Sequence, residues 1–82
     1  MNTTTSPASP DLGDLARVRA LVASGEAARV RRDSRIALAE IADVVGCHPR
    51  TIAAWEGGDQ TPRGDIAVRY LRTIEHLAAA AG

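Results

Sequence analysis

A single glycine, Gly46, separates two hydrophobic repeats of helical period, and that junction limits the possible folds more than any other feature of the chain. In LAEIADVVGCHPRTIAAWEGG, residues 38–58, Leu38, Ile41, Ala42 and Val45 fall at i, i+3, i+4 and i+7 and make one apolar stripe. Glu40 and Asp43 turn away from it. Gly46 directly follows the last residue of the stripe, where glycine can take the left-handed conformation that ends a helix at little steric cost. The first helix therefore stops at Val45. Pro49 reads as the first residue of a second helix, because its ring presets φ and its missing N–H would have lacked a partner there. His48 becomes the cap, since the residue before a proline is driven toward the extended geometry that an N-cap also adopts. Ile52 and Trp55 then point inward, while Pro49, Arg50, Ala53, Ala54 and Gly57 occupy the opposite side. That outer side carries one strong hydrogen-bonding group, Arg50, among small residues.

The rest of the chain reads as support for this unit. Residues 1–10, MNTTTSPASP, are rich in Thr, Ser and Pro without an apolar period, which reads as a disordered tail. Asp11 or Asp14 can cap a short amphipathic helix with Leu15, Val18, Leu21 and Val22 inward, ending near Ser24 and Gly25. A second helical segment runs over 26–34, with Ala27, Ala28 and Val30 inward and Arg29 and Arg32 outward. Ile36 plugs the core before Leu38. After Glu56, the run GGDQTPRGD is a loop. The longest periodic element covers 63–80, where Ala67, Tyr70, Leu71, Ile74, Leu77 and Ala78 repeat at helical spacing and His76 lies off the stripe. Residues 11–82 thus read as one all-α domain, a compact bundle of about five helices.

Composition narrows the chemistry. With 82 residues the core is near the lower limit for folding unaided, and one cysteine allows no internal disulfide. Cys47 and His48 lack a second pair at metal-ligand spacing, so no metal site is expected. The first residues have neither a basic nor an apolar signal region, and no window approaches a membrane span, so a cytoplasmic protein is expected. All ten basic residues are arginine, balanced by ten acids. A net charge of zero argues against indiscriminate nucleic-acid binding. The distribution is uneven, however: six arginines fall between Arg17 and Arg35 against Glu26 and Asp33. No nucleophile, base and orienting group assemble from one Cys, two His and scattered acids, and no Gly-rich phosphate loop precedes a helix. The chain is not expected to be an enzyme or to hold a cofactor or small-molecule ligand.

The segment from Ile36 to Pro62, through Ala42, Gly46, Thr51, Ile52, Trp55, Glu56, Gly58 and Pro62, resembles the helix-turn-helix of the Cro and C1 repressor superfamily, the xenobiotic-response-element family. The likeness covers roughly residues 28–78. It implies a lambda-repressor-like domain that places its second unit helix, 49–57, in the major groove of double-stranded DNA. By the same resemblance Pro49, Arg50, Ala53 and Ala54 fall at base-contacting positions, with Arg50 able to donate two hydrogen bonds to a guanine. His48, Thr51, Gln60, Thr61, Arg63 and Arg35 fall where side chains and backbone hold phosphates. Arg31 matches an arginine that pairs with the glutamate matching Glu56. The implied function is a sequence-specific transcriptional regulator, a Cro-like repressor working as a homodimer on DNA. An antitoxin or a protein-interaction module on the same fold is the alternative. Two departures stand out. Ala37 and Leu38 replace a polar cap and a phosphate-binding glutamine, and Asp59 and Gln60 replace loop lysines, so weak binding per monomer is expected.

Overall fold

Short-range signals set most helix boundaries in the computed structural model, which describes residues 11–81; the proposed tail at 1–10 lies outside them. The five helices are α1 (Leu12–Ala23), α2 (Glu26–Asp33), α3 (Leu38–Val45), α4 (Pro49–Gly57) and α5 (Gly64–Ala81). No strand occurs among the described residues. Asp11 caps α1 by accepting a hydrogen bond from the Gly13 N–H at 2.6 Å. The cap of α3 is Ala37, which has no side-chain acceptor; Glu40 instead reaches back and accepts from the Ala37 N–H at 2.8 Å. Gly46 ends α3 at φ 88°, a value that a side chain would make costly, and its N–H bonds the Ala42 carbonyl.

The end of α2 uses an arginine where glycine is usual. Arg35 has φ 59°, the only positive φ outside glycine among the described residues. Its N–H donates to the Arg32 carbonyl and that of Ile36 to the Arg31 carbonyl, the paired closure of a Schellman motif. No glycine or asparagine in SRIAL signals this geometry, so the turn is invisible to local sequence rules.

Each helix contributes to one core. Val18, Val30, Ile41, Val45, Ile52, Trp55, Tyr70, Leu71 and Ile74 are all buried within it. The long α5 rests on α1, α2 and α3, while α4 packs on α3 and α1. Ala78, expected to bury with its stripe, is exposed, because no described element extends far enough to cover that end of α5. Ala28, by contrast, is buried. No helix is long and apolar enough to cross a membrane among the described residues.

Trp55 and Tyr70 meet at 5.1 Å between ring centroids, tilted by 50°. Tyr70 is fully buried, yet its hydroxyl has no hydrogen-bond partner among the described residues. Burial, together with the nearby Glu56 carboxylate, pushes the phenol's pKa well above its ordinary value. A buried unpaired hydroxyl costs about 1 kcal/mol or more, and phenylalanine fills almost the same volume. Tyr70→Phe is therefore expected to raise stability by about 1 kcal/mol, and a urea melt with an unmoved or lowered midpoint would contradict it.

Candidate nucleic-acid interface

The outer side of α4 is held in place by its first turn. His48 adopts extended geometry and its Nδ1 accepts from the Arg50 N–H at 3.0 Å, so the neutral ring carries its proton on Nε2. Arg50 is exposed at the second helical position, and Ala53 is exposed one turn on. Pro49 and Ala54 are half-buried at the edges of the same surface. Both inward residues, Ile52 and Trp55, are buried, which fixes the rotation of the helix about its axis.

Four of the six phosphate candidates come together. Thr51, Gln60, Thr61 and Arg63 line one open groove of about 540 Å³ with Trp55 and Ile66. Arg19, reaching in from α1, lines it as well. His48 and Arg35 are not part of it: His48 borders a shallower depression beside Asp43 and Gly46, and Arg35 sits in the α2–α3 turn. Arg19 has no counterpart in the motif reading. Its only sequence signal is its place next to Val18 and Val22, at the margin of the inward stripe of α1.

Arg31 and Glu56 form a two-pronged ion pair, with Nε and Nη2 of the arginine donating to the two carboxylate oxygens at 2.6 and 2.9 Å. Nη1 also donates to the Ile36 carbonyl at 2.8 Å. The bond to Glu56 raises the pKa of the guanidinium, against the opposing effect of burial. This pair joins the last turn of α2 to the end of α4 and holds the chain leading into α3.

Ion pairing divides the remaining charge unevenly. Arg17 and Arg72 interlock with Asp14 and Glu75 across α1 and α5, and Arg29 sits between Glu26 and Asp33 on α2. Bonding to Arg17 holds the Glu75 carboxyl below its usual range. Arg19, Arg32, Arg35, Arg50, Arg63 and Arg69 have no carboxylate within 4.0 Å among the described residues. Three of these, Arg19, Arg50 and Arg63, stand on α4 or around the groove beside it. A chain of zero net charge thus leaves three guanidinium groups there without ion-pair partners among the described residues, with the Asp59 carboxylate beside Gly57 at the end of α4.

The chemistry of this surface is that of hydrogen-bond donation by side chains. Cys47 is half-buried, and desolvation pushes its thiol up, away from the thiolate form that reacts. No three His, Cys, Asp or Glu side chains gather in a metal-binding arrangement among the described residues. No protein-family model, curated protein or solved structure matches the chain.

Proposed function

We propose that this chain is a sequence-specific double-stranded-DNA-binding regulator of transcription, a lambda-repressor-like helix-turn-helix domain of the Cro type acting in the cytoplasm. The observation that carries this reading is the outer side of α4: one exposed, carboxylate-free arginine among small side chains, next to a groove rich in donors. With its side chains a helix is about 10–12 Å across, so α4 can lie in a major groove ~12 Å wide with its first turn at the base edges. Arg50 then donates to guanine O6 and N7, Ala53 and Ala54 offer apolar contact to a thymine methyl, and Pro49 borders them. Thr51, Gln60, Thr61 and Arg63 hold the backbone on one side, with His48 and Arg35 further out. Few phosphate contacts per copy make a single domain a weak binder, so two copies on two half-sites supply the affinity.

A second reading, an antitoxin or protein-interaction module, draws on apolar exposure away from α4. Leu12 is 81% exposed and Val44 68%. Selection of bound duplexes from a random DNA pool, run at low and at physiological salt, separates the two. The regulator is expected to enrich a two-fold symmetric motif, more strongly at low salt. Absence of enrichment at both salts would overturn it and leave a protein partner as the ligand to seek.

A further inference from the structure

Arg19 is the one residue of the groove that precedes the helix-turn-helix segment, and its placement is set by packing. Its Nε donates to the Pro62 carbonyl at 3.0 Å, across 43 residues of chain. Pro62 is itself fully buried and Val18, next to Arg19, is buried on α1, so both ends of this link are anchored in the core. With Nε committed, the plane of the guanidinium is set, and its two terminal nitrogens have no partner among the described residues. Arg63 follows Pro62 directly and lines the same groove, together with the Thr51 and Thr61 hydroxyls and the Gln60 amide. No carboxylate lines it. One guanidinium fixed by a hydrogen bond, a second cation and three neutral donors line one open space without a counter-charge, an arrangement suited to backbone phosphates.

We propose that Arg19 and Arg63 each hold a backbone phosphate of one strand of the DNA duplex, making α1 part of the binding surface rather than a support for it. This rests on the reading of α4 as a major-groove helix. Thr51, the residue after Arg50, lines the groove, so a duplex engaged by Arg50 carries a sugar-phosphate strand past it. The groove is open rather than enclosed, which suits a continuous backbone better than a small free anion.

The test measures the affinity of the intact chain for labelled random-sequence duplex DNA over a range of salt. For wild type, log K should fall linearly with log salt. Arg19→Gln should reduce the slope by about 0.9. It should also weaken binding about tenfold or more at low salt, the loss of one charge-assisted contact. Arg19→Lys should retain the slope. Arg29→Ala, which removes an arginine already held by Glu26 and Asp33, should retain it too and so controls for net charge. An unchanged slope in Arg19→Gln, or an equal fall in Arg29→Ala, would overturn the phosphate contact while leaving the regulator reading intact. Wild type without salt-dependent binding would remove both. A second measurement needs no variant to fold: with phenylglyoxal, Arg19 in wild type should be protected by duplex DNA while exposed Arg32 is not. Equal modification of Arg19 with and without DNA would overturn the proposal.

Discussion

Glu56→Ala is expected to lower the stability of the domain by on the order of 3 kcal/mol, the loss seen when one partner of a buried ion pair is removed. Both side chains are close to buried, at 11% exposure for Arg31 and 10% for Glu56. An exposed pair would be worth less than about 1 kcal/mol, so burial decides the magnitude. Without Glu56 the guanidinium keeps only its bond to the Ile36 carbonyl, and the rest of its charge faces the buried Tyr70 side of the core. Alanine also leaves space where the carboxylate stood. For a domain of this size a loss of 1 kcal/mol lowers Tm by roughly 4–8 °C, so the variant should melt more than about 10 °C below wild type. Thermal unfolding followed by circular dichroism reads this directly. Replacing both partners by apolar residues, Arg31→Met with Glu56→Leu, should recover much of the loss, because neither charge is then left unpaired. A single variant with an unchanged Tm would mean that the pair contributes nothing.

What could be seen in the sequence divides by range. Gly46, His48 and Pro49 act within two or three residues of themselves, and the boundaries they imply coincide with the end of α3 and the start of α4. The all-α architecture and the identity of the buried faces followed from the same period, down to Ile52, Trp55 and Tyr70. Where the period misled, a tertiary circumstance was responsible. Ala78 continues the stripe of α5 into a turn that nothing covers. Arg35 takes a left-handed conformation because two backbone hydrogen bonds close the end of α2 around it, and no turn residue marks the spot. The candidate surface was less legible than the fold. Arg50 could be found from the face of one helix, whereas Arg19 enters the groove through a contact 43 residues distant, a relation that no local pattern encodes. The summed charge was also misleading. A balance of ten against ten says nothing of which arginines are already held by carboxylates, and that partition, not the total, leaves guanidinium groups beside α4 unpaired among the described residues.

Arg50→Ala should separate recognition from stability more sharply than any other change. The side chain is exposed and has no carboxylate partner, and the hydrogen bond at this position uses the main-chain N–H, which alanine keeps. Alanine also has the higher helix propensity. Stability is therefore expected to stay within about 0.5 kcal/mol of wild type. Sequence preference should behave differently. A bidentate arginine contributes ~1–3 kcal/mol of discrimination at its base pair, and two half-sites double it to ~2–6 kcal/mol, or roughly thirtyfold to twenty-thousandfold. Proline and alanine, the remaining side chains of the surface, have no side-chain donor to replace it. Competition between the selected duplex and random duplex should thus lose most of its specific component, while binding to random DNA loses little. Arg63→Ala provides the contrast, since a phosphate contact weakens all duplexes alike and lowers the salt slope by about 0.9. The two variants together distinguish a base-reading residue from a backbone-holding one without knowledge of the operator. If Arg50→Ala still enriches the wild-type motif, base recognition does not run through this arginine, and the outer side of α4 loses the one group that makes it a reader of sequence.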